Sequence, residues 1–348
     1  MKSLNWTPLT DSADALGESP FWHPQEAALY WVDIPGRALR RADAATGTHQ
    51  RWSLPSEPGC IGPVAGGGLL LALREGLFRA RYWGAALEPL APAPFDPATT
   101  RFNDGRTDAQ GRLWVGTIYE PRDKPEAALY CFDPRGTPGL TRRAGGATTG
   151  NGLAFSPDER TLYWSDTPDH VIRAWDLEPL TGTLTRPREF HRFAPKPAGW
   201  SPSGDPVRDT ARYGGRPDGA AVDAEGHYWV AMFEGGRLLR LAPDGRVVAD
   251  WPLPVRCPTM PCFGGEDLRT LYLTTARQGR SAAELAACPL SGHVLWTRVE
   301  VPGLPVNFCA DPGPRAAPVP AQALSSGLAD GSSEGPLPGR SAHPLRGE

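Results

Sequence analysis

Four short polar segments of this 348-residue chain carry the side chains best suited to chemistry. Each combines a carboxylate or a carboxamide with Gly or Pro, just before a predicted strand. The segments are GESP (17–20), RFNDGR (101–106), GNGLAF (150–155) and RPDGAAVD (216–223). Their Glu18, Asn103, Asn151 and Asp218 offer only oxygen ligands, which suit a hard or borderline divalent cation. Any one segment is also explained as a plain turn, because Asn, Asp and Gly are common turn formers. Four segments in equivalent positions favour a shared site.

The elements that must position these side chains repeat along the chain. A strand-like phrase rich in Trp, Tyr and Leu occurs six times, with apolar cores that begin at Leu29, Leu69, Leu113, Leu162, Tyr228 and Leu271. Successive cores are 40, 44, 49, 66 and 43 residues apart. A blade of four short antiparallel strands uses about 40–45 residues, so this period is typical of propellers. The sequence therefore predicts an all-β fold, a six-bladed β-propeller, with the polar segments converging on its central channel. The Trp residues of the phrases are expected to fill the wedges between blades.

Composition and charge argue against several classes of partner. Lys plus Arg (36) against Asp plus Glu (39) gives a formal charge of −3, and no basic stripe is available to neutralise phosphates. We therefore expect no nucleic acid partner. No apolar run reaches the roughly 18 residues of a membrane span, and the amino terminus lacks the apolar region of a signal peptide. We expect no membrane association, a cytoplasmic location and a monomer. The six scattered Cys are expected to be reduced thiols.

The two ends of the chain and one long segment stand apart from the repeats. Residues 3–10 and 293–302 are predicted to pair, because closing the ring removes the open edge of a sheet. We expect the propeller to span residues 1–309 and a disordered tail rich in Pro, Gly, Ser and Ala to span 310–348. The 66-residue step contains an insertion at 194–215. It is either a lid over the channel mouth or a surface loop without a role.

Several of these motifs, in the same order, resemble those of the SMP-30/gluconolactonase/LRE-like family, which includes regucalcin and bacterial sugar lactonases. They are LGESPFW, RFNDGR, GNGLAFSPDERTLYWSDT and RPDGAAVDAEGHYWVA followed by GGRLLRLAPDG. The resemblance runs from about Leu16 to about Asn307. It implies a six-bladed propeller that binds one divalent cation in the channel and opens the lactone ring of aldonolactones. The 194–215 insertion departs from the family pattern.

The resemblance also implies roles for individual residues. The metal ligands fall on Glu18, Asn151 and Asp218, whereas Arg101 and Asn103 match positions that hold the hydroxyls and carbonyl region of the substrate. Glu120, in TIYEPR, matches an acidic substrate contact. The substrate is then a small-molecule sugar lactone, whose carbonyl the cation polarises while Asp218 accepts a proton from the attacking water. Ligand type alone leaves the ion open among Ca²⁺, Zn²⁺, Mn²⁺ and Fe²⁺.

Two other classes of function use the same residues. A propeller esterase or phosphotriesterase would need a similar cation and a more apolar pocket. A non-catalytic calcium-binding protein would use the ion only to hold blades together. Arg101 favours an enzyme, because a purely structural cation has no use for a second positive charge beside it. No GxSxG motif is present within the predicted propeller, residues 1–309, which argues against an acyl-enzyme route.

Overall fold

Six four-stranded antiparallel sheets make up the fold in the computed structural model, which describes residues 4–43, 45–136, 139–203 and 205–313. The innermost strand of each sheet contacts that of the next sheet around a closed ring. The predicted six-bladed β-propeller is therefore confirmed. Of the tail predicted for 310–348, residues 314–348 lie outside the part of the chain that the structure describes. The domain boundary at 309 stays a prediction.

The strands follow one another blade by blade. Strand β1 (Thr7–Pro8) belongs to the last blade. Blade 1 contains β2 (Gly17–His23), β3 (Ala28–Asp33), β4 (Ala38–Asp43) and β5 (His49–Ser53). Blade 2 contains β6 (Pro58–Pro63), β7 (Leu69–Leu73), β8 (Gly76–Ala80) and β9 (Glu88–Pro92). Blade 3 contains β10 (Thr100–Thr107), β11 (Leu113–Tyr119), β12 (Ala127–Phe132) and β13 (Thr141–Ala147).

The second half of the ring repeats this order with two short helices added. Blade 4 contains β14 (Gly150–Phe155), β15 (Thr161–Asp166), β16 (Val171–Glu178) and β17 (Thr183–Arg192). Helix α1 (Pro206–Arg212) precedes blade 5, which contains β18 (Arg216–Val222), β19 (Tyr228–Phe233), β20 (Arg237–Leu241) and β21 (Val247–Pro252). Blade 6 contains β22 (Pro258–Gly264), β23 (Thr270–Thr275), helix α2 (Ala282–Ala287) after it, and β24 (Leu295–Arg298). No helix in the described part of the chain is long and apolar enough to cross a membrane.

Each of the six repeated phrases forms the second strand of a blade, from β3 to β23. These strands are buried on both faces, because neighbouring blades pack against each side. Six hydrophobic clusters result, each shared by two adjacent blades. Trp31, Trp114 and Trp164 are among the largest fully buried side chains, as the wedge-filling prediction requires.

Pairing between the two ends of the ring closes the last blade. Strand β1 pairs antiparallel with β24, with Thr7 opposite Trp296 and Pro8 opposite Leu295. The predicted pairing of 3–10 with 293–302 is therefore confirmed. Beyond β24 the chain crosses to blade 2, where the Cys309 amide donates to the Pro63 carbonyl over 2.8 Å.

The insertion at 194–215 is held against the propeller by specific polar contacts. Asp209 is fully buried; it accepts hydrogen bonds from the Ser203 amide (2.9 Å) and from Nη2 of Arg256 (2.6 Å). The His170 ring lies 2.7 Å from the hydroxyl of Tyr213. Buried charges are stable only when paired in this way. The insertion is therefore docked on the propeller through its described residues.

Candidate active site

The innermost strand of every blade has an irregularity in its pairing with the second strand. In four blades the irregularity contains or borders a predicted site residue. It lies between Glu18 and Phe21, Phe102 and Gly105, Asn151 and Ala154, and Pro217 and Ala220. A bulge re-aims side chains out of the regular alternation of a strand. The four polar segments thus lie within the bulged innermost strands and are not hairpin turns.

Asn151-Gly152 shows why the segment needs glycine. Gly152 has a φ of +59°, a conformation that side chains other than glycine rarely adopt. A Cβ at this position would lie 2.5 Å from Oγ of Ser165 and 2.9 Å from the carbonyl oxygen of Asp218. The dipeptide, which in isolation signals a hairpin, here lets blade 4 approach blade 5 beside Asn151.

One cavity of about 350 Å³ at an end of the channel is lined by most of the predicted site residues. Its lining includes Glu18 from blade 1, Arg101 and Asn103 from blade 3, Asn151 from blade 4 and Asp218 from blade 5. The five side chains come from segments up to 200 residues apart, and the fold brings them together. Of the described lining residues, none comes from the 194–215 insertion.

A chain of hydrogen bonds joins three blades across this cavity. Nδ2 of Asn103 donates to Oδ1 of Asn151 (2.6 Å), and Nδ2 of Asn151 donates to Oγ1 of Thr167 (2.9 Å). The Thr167 hydroxyl in turn donates to the carbonyl oxygen of Pro217 (2.8 Å), next to Asp218. The Asn151 amide is thereby fixed in one orientation, and its Oδ1 keeps a second lone pair.

The two carboxylates of the cavity are buried, with 8% of Glu18 and 5% of Asp218 exposed. Burial raises the pKa of Asp218 to about 8, with Asp104 adding to the rise and Arg216 opposing it. Burial also raises the pKa of Glu18 well above its usual value, and the nearby Asp218 and Asp104 add to that rise. The anionic forms of both groups are therefore disfavoured in the bare cavity, since each charge is poorly solvated and repels the other.

This donor set fits a divalent cation. An ion between Glu18 and Asp218 would offset their repulsion and their lost hydration, and the fixed Oδ1 of Asn151 adds a neutral oxygen ligand. Among the described residues, no three His, Cys, Asp or Glu side chains cluster as a metal site. The proposed set has two carboxylates and one amide. Because it supplies only three protein ligands, a bound ion would keep coordination positions for water or substrate.

Arg101 and Glu120 lie beside each other at the edge of this cavity. Nη1 of Arg101 donates to Oδ1 of Asn103 (2.9 Å), and its Nε is 3.4 Å from Oε1 of Glu120. Glu120 is absent from the described cavity lining and accepts two hydrogen bonds from Arg74 of blade 2, of 2.9 and 3.1 Å. Partial burial would raise the pKa of Glu120, but the hydrogen bonds and charge of Arg74, together with Arg101, lower it. Glu120, which the resemblance predicts to contact the substrate, is thus paired with Arg101, which is itself predicted to bind the substrate.

Sequence reasoning missed four residues of this region: Asp104, Thr167, Arg216 and Arg280. Asp104 is buried in the channel, where burial raises its pKa to about 6, and its Oδ2 accepts from the Leu153 amide (2.8 Å). The other three line the cavity. A signal existed for Arg216, which belongs to the same RPDGAAVD segment as Asp218. Asp166 accepts hydrogen bonds from the Thr148 and Thr149 amides and so caps the end of a strand.

The fold and the cavity together define a class of protein. It is a six-bladed propeller with carboxylate, amide and guanidinium groups from several blades gathered at one end of the channel. The sequence matches the family described as SMP-30/Gluconolactonase/LRE-like region over residues 16–277, so the chain belongs to this family.

Relatives within the family cover most of the chain. A 6-deoxy-6-sulfogluconolactonase from Pseudomonas putida is 45% identical over 85% of this chain and 94% of its own length. A pentonolactonase from Haloferax volcanii is 32% identical over 78% of this chain and 84% of its own. The structure of a calcium-binding protein, regucalcin, from Agrobacterium tumefaciens superposes with a TM-score of 0.78 at 26% identity, covering 89% of this chain and 99% of its own.

Proposed function

We propose that this protein is a metal-dependent hydrolase that opens the ring of a sugar lactone by attack of water on the ring carbonyl. One observation carries the proposal: buried Glu18 and Asp218 share a cavity with Asn151, Arg101 and Asn103. Relatives named for a sulfogluconolactone and for pentonolactones support the lactone as the class of substrate.

Three side chains would hold the cation: Glu18, Asn151 and Asp218. When bound there, a divalent ion supplies Lewis-acid polarisation of the lactone carbonyl. The relative described as calcium-binding supports Ca²⁺ as one candidate, and the oxygen ligands also accept Zn²⁺, Mn²⁺ or Fe²⁺. Thr167 and Asn103 hold the Asn151 amide with its oxygen toward the cavity.

Asp218 accepts the proton as water attacks the carbonyl carbon. Burial raises the pKa of Asp218, so an isolated negative charge is disfavoured at this position. A neighbouring positive charge lowers this pKa and returns the carboxylate to its basic form. The bond between the carbonyl carbon and the ring oxygen then breaks. The leaving alkoxide takes up the proton that Asp218 accepted from water, and it stays tethered to the acid product, so no separate leaving-group pocket is required.

Arg101 and Asn103 orient the sugar ring through hydrogen bonds to its oxygens. Their mutual hydrogen bond and the contact of Arg101 with Glu120 limit the rotamers of both side chains before substrate arrives. Such preorganisation is a large part of the rate advantage of an enzyme site. Glu120 remains a candidate substrate contact, and its observed neighbours also suit a role in positioning Arg101.

The charged lining favours a polyhydroxylated lactone over an aryl ester. The described lining contains Glu18, Asp218 and four arginines, whereas an aryl esterase needs a more apolar pocket. A non-catalytic ion site leaves the second positive charge of Arg101 without a purpose.

The proposal is tested with δ-gluconolactone as substrate. Purified protein is stripped with a chelator, reloaded with each of the four ions, and assayed for acid release above the spontaneous rate. We expect no turnover without an ion, and losses of roughly 10²–10⁴-fold in kcat/KM for Asp218→Asn and Glu18→Gln. The exposed Glu126→Gln serves as the matched control. Full activity of both site variants at unchanged metal content would refute the proposal.

A further inference from the structure

One wall of the cavity carries more positive charge than its neighbouring carboxylates neutralise. Four arginines line the cavity, Arg101, Arg122, Arg216 and Arg280, against the two carboxylates of Glu18 and Asp218. Arg101 already contacts Asn103 and Glu120. Arg216 begins β18, and Arg280 comes from the loop after β23, so blades 5 and 6 together form the wall in question.

An acidic side chain beside this wall, Glu234, is already paired with a lysine. Glu234 is buried, and both of its oxygens accept hydrogen bonds from Nζ of Lys196, at 2.9 and 3.1 Å. Nη2 of Arg216 and Nη1 of Arg280 lie 3.4 and 3.6 Å from the same carboxylate. Oε1 of Glu284 lies 3.9 Å from Nη1 of Arg280, so two carboxylates face three cations and leave one positive charge in excess. Nε of Arg216 is buried and has no hydrogen-bond partner among the described residues.

The aromatic ring of Phe233 positions both guanidinium groups at the cavity. The guanidinium carbons of Arg216 and Arg280 lie 5.3 and 5.8 Å from the centre of this ring, which itself lines the cavity. Cation–π contact of this kind stabilises an arginine without consuming its N–H donors. The wall is therefore a pair of preorganised guanidiniums with donors to spare, and guanidinium donors match oxyanions in geometry and charge.

We propose that Arg216 and Arg280 form a subsite for an oxyanion substituent on the lactone, such as a sulfonate, phosphate or carboxylate carried at the end of the sugar away from the ring carbonyl. The inference rests on the proposed lactonase function, because it assigns the other end of the same substrate to the catalytic groups. Arg216 is two residues from Asp218, so one sugar can contact both.

The test compares three substrates that differ only at C6 of gluconolactone: the neutral alcohol, the 6-sulfonate and the 6-phosphate. We expect the wild-type protein to have a kcat/KM at least about tenfold higher for a charged substrate than for the neutral one, with the excess shrinking as salt is added. In Arg280→Gln the ratio of charged to neutral kcat/KM should fall about 10- to 100-fold, since a charge-assisted contact is lost. Arg280→Lys keeps the charge and should restore part of the ratio.

Arg298→Gln is the matched control. It removes the same charge from β24, where Arg298 pairs with Asp267 away from the cavity lining, and should leave the ratio as in the wild type. Preference for the sulfonate alone, the phosphate alone or both supports the subsite and identifies the oxyanion it accepts. Equal use of charged and neutral lactones, or an unchanged ratio in Arg280→Gln, overturns it.

A binding measurement separates this inference from the proposed function. If no lactone is hydrolysed, the lactonase proposal fails, and calorimetric titration with gluconate and its 6-sulfonate still decides about the subsite. Tighter binding of the 6-sulfonate by wild type than by Arg280→Gln supports it. Equal binding of both ligands by both proteins contradicts it.

Discussion

Asn103 of blade 3 donates from Nδ2 to Oδ1 of Asn151 in blade 4 across 2.6 Å. The bond links a predicted substrate-binding residue directly to a predicted metal ligand. It continues through Thr167 to the backbone beside Asp218, so three blades share one hydrogen-bonded path. Under the proposed function, this path would couple the orientation of the substrate to the geometry of the ion.

Thr167→Val tests whether the path orients the metal ligand. The substitution keeps the shape of the side chain but removes the acceptor for Nδ2 of Asn151, whose amide then keeps, of its two hydrogen bonds in this path, only the one from Asn103. We expect divalent-cation affinity, measured by calorimetry, to fall about 10- to 100-fold, as for other residues that orient a ligand. Thr297→Val, a buried threonine of β24 away from the cavity lining, is the control. Unchanged affinity in Thr167→Val would show that Asn151 needs no such support.

Asp218→Asn tests the electrostatics of the bare cavity. The pKa of Asp218 is about 8 in the folded protein and 3.8 in a model compound, so the folded state holds this proton more tightly. This tighter binding of the proton stabilises the folded state below about pH 4. The stabilisation is lost as the pH rises to about 8. With chelator present, the free energy of unfolding of wild type should therefore fall relative to Asp218→Asn across this range. We expect a relative change of at least about 1.4 kcal/mol, the equivalent of one pKa unit, in urea titrations. Parallel pH profiles for the two proteins would contradict this.

Glu120→Gln and Arg74→Gln together test how Glu120 acts. If Glu120 positions Arg101, removing its own charge or its anchor in Arg74 should raise KM for the lactone about tenfold and change kcat less. Both variants are assayed over a range of substrate concentrations beside Glu126→Gln. A loss confined to Glu120→Gln would instead indicate direct contact with substrate, as the family resemblance implies.

Asp209→Asn tests the docking of the insertion. Asp209 is buried against Arg256, and loss of one partner of a buried ion pair costs about 3–5 kcal/mol. The insertion should open more often, and trypsin cleavage after Arg208 or Arg212 should accelerate at least about tenfold. The exposed Asp244→Asn should cleave at the wild-type rate. Equal cleavage of both variants would show that other contacts hold the segment.

The repeat made most of the fold predictable from sequence. Apolar phrases such as that at Leu113 are local patterns, and their spacing indicated the blades. The need to close the ring then indicated the pairing of 3–10 with 293–302, where Thr7 lies opposite Trp296. Residues of the four polar segments line one cavity, because equivalent positions in a radial repeat face one axis. Their backbone form was less accessible, because the bulge at Asn151 depends on close contact between blades 4 and 5.

Contacts between residues far apart in the sequence could not be predicted from the sequence alone. The sequence contains no local sign that Arg74 holds Glu120, or that Arg256 anchors Asp209, since each pair joins segments more than 40 residues apart. The same holds for Arg280, which shares contacts to Phe233 and Glu234 with Arg216. Such contacts follow from the closed ring, not from any local pattern.

The central claim is that Glu18, Asn151 and Asp218 hold one divalent cation. Equilibrium dialysis of the chelator-treated protein against Ca²⁺, Mn²⁺ and Zn²⁺ measures this directly. We expect one ion bound per chain in wild type and none in the Glu18→Gln/Asp218→Asn double variant, with both proteins folded by circular dichroism. Equal ion binding by the two proteins, or no binding by wild type, would contradict the account.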